Sequence, residues 1–349
     1  MIKYALVTGS AGLIGGEAVD YLCSQGFSVV GIDNDFRSIF FGPNSSTDWN
    51  TKRLLELHAN FEFKNIDIRD YENLRDVFKN QSFEIIIHTA AQPSHDWAAK
   101  DPIVDFSINA NGTLNLLELT RLFCPEATFI FTSTNKVYGD TPNSLPIIEG
   151  DLRYDLPQSH TFWQGIDESM SIDYSTHSLF GVSKCSADLL TQEYGHYFNL
   201  NTGIFRGGCL TGPTHSSAEL HGFLSYLVKT IIQGNTYKIL GYKGKQVRDN
   251  LHANDLILMF MEFHKNPKKG EVYNVGGGRE NSTSVLEAIE LIESVSGKSA
   301  IVDYRNDNRV GDHKWYITNN NKFKTHYPKW KLNYNLDKII KDLISGVRI

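Results

Sequence analysis

The chain reads as an α/β protein: a Rossmann-like, doubly wound parallel sheet with a smaller α/β domain for substrate. Three observations predict this. Short β-rich apolar runs alternate with amphipathic helical runs. The first such run leads straight into a glycine-rich turn. The runs also end in small, acidic or hydroxyl residues, where open α/β sheets bind ligands.

The first run is Tyr4–Thr8. It is followed at once by Gly9-Ser-Ala-Gly12-Leu-Ile-Gly15 and by helical spacing through Ala18, Val19 and Leu22. Strand, glycine turn and helix form the context in which such glycines admit a pyrophosphate to the backbone and set its charge against a helix N-terminus. A plain tight turn is the alternative. The second strand, Ser28–Ile32, ends at Asp33, where a carboxylate can bind a ribose 2′-OH. That favours NAD over NADP, because a carboxylate repels a 2′-phosphate; Arg37 nearby works the other way. Phe61–Ile66 then reads as a strand ending at Asp67, Tyr71–Phe78 as a helix, Glu84–His88 as a strand, Pro102–Leu122 as a helix and Thr128–Thr132 as a strand. The strand ends Thr8-Gly9, Asp33, Asp67, Ala90-Ala91-Gln92 and Thr132-Ser133-Thr134 should face one cleft. Phe36–Asn50 and Gly139–Tyr174 read as long loops, covering a ligand or serving as surface insertions.

Ser178–Phe198 has helical spacing and places Phe180 one turn before Lys184, on the same face. A tyrosine at 180 would put a phenol beside an ammonium, the pairing that makes a base; this chain has phenylalanine. Thr202–Arg206 reads as the next strand, and Gly207-Gly208-Cys209 after it as a close backbone approach to a ligand. Val272–Val275 reads as a late strand returning to the main sheet. The expected division is therefore 1–178 for the dinucleotide domain, with strands near 202–206 and 272–275 returning to it. The substrate domain takes most of 179–349.

With 41% hydrophobic and 21% charged residues the composition is that of a globular enzyme. A net charge of −6 gives no basic footprint for nucleic acid. No apolar run is long enough to cross a bilayer, and no signal-peptide pattern opens the chain, so no membrane partner and a cytoplasmic location are expected. Cys23, Cys124, Cys185 and Cys209 lack metal spacing and suit a reducing compartment; no metal is expected.

TGSAGLIG, the DIRD at Asp67–Asp70, the strand end FTSTNKVYGD at Phe131–Asp140 and the Lys184 segment together resemble the extended short-chain dehydrogenase/reductase family. These are NAD-dependent nucleotide-sugar epimerases and dehydratases. The resemblance spans almost the whole length. STNKVYGD, IDESMSID and GKQVRDNLHANDL are most similar to the branch that epimerises CDP-sugars at carbon 2. It implies that Gly9, Ala11, Gly12, Leu13, Ile14 and Gly15 cradle the NAD pyrophosphate. Asp33 and Asn34 would hold the adenosine ribose, Asp67 and Ile68 flank the adenine, and Ala90, Ala91, Gln92, Asn109 and Thr132 line the cofactor cleft. Lys184 would bond the nicotinamide ribose. Thr134 would bond the sugar oxygen being oxidised, with Asn135, Lys136 and Cys209 around the sugar and Arg248 and Arg309 on the diphosphate. From the residues alone each arginine could equally sit in a surface ion pair, and Lys136 in solvent. The family also implies a homo-oligomer, dimer or tetramer, built on long helices such as Pro102–Leu122 and Ser178–Phe198.

Phe180 takes the place of the family's catalytic tyrosine. Dehydratases of the family carry an acidic pair after the Ser/Thr position, where this chain has Asn135-Lys136, so a 4,6-elimination lacks its acid and base. Losing a general base costs roughly 10²–10⁴-fold. A replacement is therefore expected, from Tyr174, His177, Lys136, Cys209 or Thr134 acting through a water. The alternatives are a chain that binds NAD and nucleotide sugar with impaired or no catalysis, and another lyase or dehydratase of the family.

Overall fold

The computed structural model describes residues 2–217, 222–306 and 311–347. The chain divides into two compact units: 1–137 with 178–206 and 257–273, and 138–177 with 207–256 and 274–349.

The first unit is built on a seven-stranded sheet. Its strands are β1 (Tyr4–Thr8), β2 (Ser28–Asp33), β3 (Phe61–Asn65), β4 (Phe83–His88), β5 (Thr128–Thr134), β6 (Asn201–Gly207) and β7 (Glu271–Val275), in the order β7-β6-β5-β4-β1-β2-β3. The sheet is parallel, and its register brings the strand tips level: Thr8 lies opposite both Ile32 and His88, Asp33 opposite Asn65, and His88 opposite Phe131. The order reverses beside β1, and that crevice is where a doubly wound sheet takes its ligand. Continuous apolar runs such as Ile85-Ile86-Ile87 are buried because helices cover both faces.

Six helices position the site. They are α1 (Leu13–Ser24), α2 (Asp48–Leu57), α3 (Tyr71–Asn80), α4 (His95–Lys100), α5 and α6 (Leu179–Tyr197). α5 runs Pro102–Phe106, then a π turn Ser107–Asn111, then Gly112–Phe123. Apolar stripes turn inward, as Ile14, Ala18, Val19 and Leu22 do on α1 and Leu74, Val77 and Phe78 on α3. The core joins Leu6, Ile32, Ile86, Phe129 and Phe131 of the sheet to Leu74, Leu116, Leu117 and Ala187 of the helices.

One expectation is corrected. The stretch expected as a loop over 36–50 holds a short helix, Phe36–Phe41, and the start of α2. The two units interleave along the chain: α6, the crossover between β5 and β6, lies in the first unit, while 138–177 lies in the second.

The second unit has its own core. Val247–His252 pairs with Ser282–Ser284, Trp315–Tyr316 and Cys209–Thr211. Helices Phe223–Ile232, Val285–Ser296 and Leu336–Ser345 pack together through Leu227, Ile231, Ala288, Ile292, Ile339 and Ile340.

Candidate active site

The glycine turn after β1 is built for close approach. Gly9 sits at φ +69°, where a side chain is strained, and a Cβ there would meet Ala90 N and Thr89 Oγ1 at 2.7 Å. A Cβ on Gly15 would collide with the Gly9 backbone. Gly12 differs: in the protein its Cβ would meet only the Gly9 carbonyl, at 3.3 Å. A methyl there would need that carbonyl to give by a few tenths of an ångström, far less than at Gly15, and the missing side chain leaves room at the N-terminus of α1. That terminus carries no side-chain cap and no acidic residue in its first turn, so its N–H groups suit an anion. The residues present therefore fit a pyrophosphate.

Asp33, at the tip of β2, accepts from Ala11 N (3.0 Å), Asn34 N (2.8 Å) and Asp35 N (2.9 Å). Burial pushes its carboxyl upward, and these N–H groups oppose the shift. Asn34 donates to Asp67 at 3.2 Å, and Asp67 is clamped by the Arg69 guanidinium. Burial opposes ionisation of Asp67, but the Arg69 bonds prevail and hold it below its ordinary value. Arg37 stacks on Phe41 at 4.8 Å, and burial lowers its pKa to about 10.

Lys184 is buried on α6. Its Nζ donates to the Thr132 carbonyl at 2.7 Å and lies 4.2 Å from the Phe131 ring centroid. Burial lowers its pKa to about 7, against the pull of Asp188 and Asp105. One turn on, Asp188 accepts from Ser133 Oγ at 2.5 Å and is forked by Arg206 at 2.8 and 3.0 Å. This buried knot ties α6 to β5 and β6 and so sets the height of Lys184 above the strand tip. Thr134 ends β5, and its Oγ1 accepts from Lys136 N at 3.2 Å. Asn135 is buried and Lys136 half-buried.

Gln92 and Asn109, expected to line the cofactor cleft, hydrogen-bond to the protein through their side chains. Asn109 accepts from Gln92 N and donates to Gln92 O, Asp105 and Ser183; Gln92 Nε2 bonds Ser94 O and Asp105. The π turn inserts one extra residue and turns Asn109 inward. The two residues shape the wall after β4, while the half-buried Ala90 and Ala91 leave its surface small. Ile68 packs in the core and Thr132 Oγ1 bonds His88 O.

The expectations for a replacement base fare unevenly. Tyr174 is fully exposed at a left-handed φ of 56°. His177 Nδ1 engages Ser175 O at 3.0 Å. Cys209 lies half-buried in the strand paired with Asn250. Beside Phe180 stands a residue that the sequence reading passed over. His95, the first residue of α4, meets the Phe180 ring edge-on at 4.9 Å between centroids, and its Nδ1 lies 2.8 Å from Ser178 Oγ. The signal was present in Ser94-His95-Asp96-Trp97, a serine cap before a short helix right after a strand tip; Ser94 Oγ does accept from Trp97 N.

Among the residues expected to bind the diphosphate, Arg248 is engaged by Asp312 at 2.5 Å and donates to Val247 O. It thus sits in an ion pair, and Arg309 lies outside the described residues. Among the described residues no helix is long and apolar enough to cross a membrane, and no cluster of three or more His, Cys, Asp or Glu residues could hold a metal ion.

A family model described as the NAD dependent epimerase/dehydratase family matches residues 5–276. The CDP-paratose 2-epimerase of Salmonella typhi is 32% identical over 295 residues, 82% of this chain and 83% of that protein. The UDP-glucuronate 4-epimerase of Thermodesulfobacterium geofontis is 30% identical over 308 residues, 87% of this chain and 84% of that protein. A tyrosine-to-phenylalanine mutant of the Bacillus cereus UDP-glucuronic acid 4-epimerase, solved with a fluorinated UDP-sugar and NAD, superposes with a TM-score of 0.78 at 25% identity, covering 99% of this chain and 98% of that one.

Proposed function

The chain belongs to the NAD-dependent epimerase/dehydratase family, and from that premise we propose that it epimerises a nucleotide sugar by transient oxidation of one sugar hydroxyl. The observation that carries this reading is the position of Lys184, held on the Thr132 carbonyl of the strand that ends in Thr134. The glycine turn opens at the same edge of the sheet. Bound NAD supplies the acceptor, and then the donor, of a hydride. Gly12 and the α1 N-terminus receive its pyrophosphate and Asp33 its adenosine ribose. Lys184 holds the nicotinamide ribose, and the Thr134 hydroxyl bonds the sugar oxygen.

One of the relatives, 32% identical, is a CDP-paratose 2-epimerase, and on that likeness we propose that this chain acts on a CDP-sugar at carbon 2. Asn135, Lys136 and Cys209 are the residues we propose for binding the sugar, and Arg248 and Arg309 those for the diphosphate; Arg248 would then exchange Asp312 for phosphate. We also propose a homo-oligomer, a dimer or a pair of dimers. Ile103, Phe106, Leu114 and Leu122 on α5, with Leu179, Val182 and Leu189 on α6, leave apolar side chains exposed along two helices, a pattern that a second copy would cover. The four free cysteines fit a cytoplasmic setting.

Phe180 supports a second reading, an NAD- and nucleotide-sugar-binding protein with impaired or no catalysis. One experiment separates the two. Purified protein is mixed with CDP-paratose, CDP-tyvelose or UDP-glucuronate, and absorbance of the reduced nicotinamide is followed. Transient reduction with return of an epimer supports the enzyme; binding of the sugars without reduction supports the second reading.

A further inference from the structure

We propose that His95 is the acid/base that replaces the absent phenol, taking the proton from the sugar hydroxyl as it is oxidised and giving it back as the ketone is reduced. The inference rests on the transient-oxidation reading above. Three observations carry it, all within the first unit. The imidazole touches the Phe180 ring, so it stands beside the position where a phenol would have been. It opens α4, seven residues past His88 at the end of β4, the strand next to the one that ends in Thr134. Its ring is also held by a third group: Nδ1 lies 2.8 Å from Ser178 Oγ, and that oxygen is itself fixed by the Gly181 N–H (3.1 Å) in capping α6. A base oriented by a second side chain is the arrangement found wherever imidazole works as a proton carrier.

Ser178 Oγ has two lone pairs. In the tautomer that the proposal requires, Nδ1–H donates to Ser178 Oγ, beside the Gly181 N–H that the same oxygen accepts, and Nε2 carries the lone pair. The step then balances. The sugar O–H bond breaks and its proton goes to Nε2, the C–H hydride passes to the bound NAD, and a C=O bond forms; the sugar is oxidised and the cofactor reduced. On return, hydride adds to the opposite face of the ketone, the imidazolium gives its proton to the alkoxide oxygen, and the epimer leaves. Phe180 contributes a flat apolar wall that excludes water from the imidazole. The charged groups on the elements around it are Asp96 and Lys100 on α4, Asp105 on α5, and Lys184 and Asp188 on α6.

The test uses the full chain with NAD bound and whichever of CDP-paratose, CDP-tyvelose and UDP-glucuronate reduces that NAD. His95→Ala and His95→Gln should keep their bound NAD and melting temperature and lose roughly 10²–10⁴-fold in the rate of reduction. Added imidazole should restore His95→Ala in proportion to its concentration, and Phe180→Tyr should restore His95→Gln by roughly tenfold or more; neither rescue repairs a merely structural defect. Independently of turnover, carbethoxylation of His95 by diethyl pyrocarbonate, read by mass spectrometry, should be suppressed by the same nucleotide sugar. Reduction at the parental rate in His95→Gln, or labelling of His95 that the sugar does not slow, overturns the role of His95 alone. No reduction by the unsubstituted chain with any of the three sugars overturns the reading of the reaction and this role together.

Discussion

Lys184 and Phe180 divide between them what the family gives to one tyrosine–lysine pair. With no phenol to polarise, the ammonium has a single task, and its burial in the first unit lowers its pKa to about 7 from 10.5. The folded chain therefore releases this proton before the unfolded chain does. Stability of the cofactor-free protein should rise with pH between about 7 and 10.5, and Lys184→Met should flatten that rise in a series of urea melts. The glycines give a sharper contrast. Gly12→Ala should keep a melting temperature much closer to parental than Gly15→Ala and bind NAD roughly tenfold or more weakly, about 1.4 kcal/mol, because its methyl meets only the Gly9 carbonyl in the protein, at 3.3 Å, and takes space proposed for the ligand. Gly15→Ala should lose the fold, because its methyl meets the Gly9 backbone. Equal melting curves with equal NAD affinity in both variants would contradict this division of labour. On the diphosphate role proposed for it, Arg248→Ala should raise KM for the nucleotide sugar and leave kcat close to parental.

At the level of elements, α6 is the part on which the site depends. Ser178 caps it by accepting from Gly181 N, and Asp188 ties its middle to β5 and β6. Ser178→Ala should cost about 1 kcal/mol of stability, read as a lower melting midpoint, while Ser178→Thr retains the cap. The parallel sheet, its strand tips and the glycine turn were legible in the sequence because period-2 and period-3.6 patterns and a turn residue each have a local cause. His95 was not legible as a neighbour of Phe180: the two are 85 positions apart, and only the packing of α4 against α6 brings them together. Nor was the inward turn of Asn109, which depends on a π insertion that leaves no mark in the apolar pattern of Pro102–Phe123. Arg248 was legible as a cation but not as a partner of Asp312, 64 residues away.

Across the whole molecule, the two units carry different pH signatures. In the second, Asp249 is fully buried and accepts from Gly278 N and Thr318 N; burial raises its pKa from 3.8 to about 6, against those bonds. Here the folded chain holds the proton more tightly. Stability from this group is present below pH 3.8 and is lost as pH rises toward about 6, and Asp249→Asn should remove that slope from the acid side of the stability curve. The six alternating segments of the two units have a further consequence, for the order in which the polypeptide leaves the ribosome. The edge strand Glu271–Val275 joins a sheet begun at Tyr4, so β6 must wait, unpaired on one side, while the intervening residues are synthesised. An open strand edge invites pairing with other chains. Nascent copies stalled before residue 271 should therefore engage chaperones, and a slower stretch of translation after that strand would relieve them.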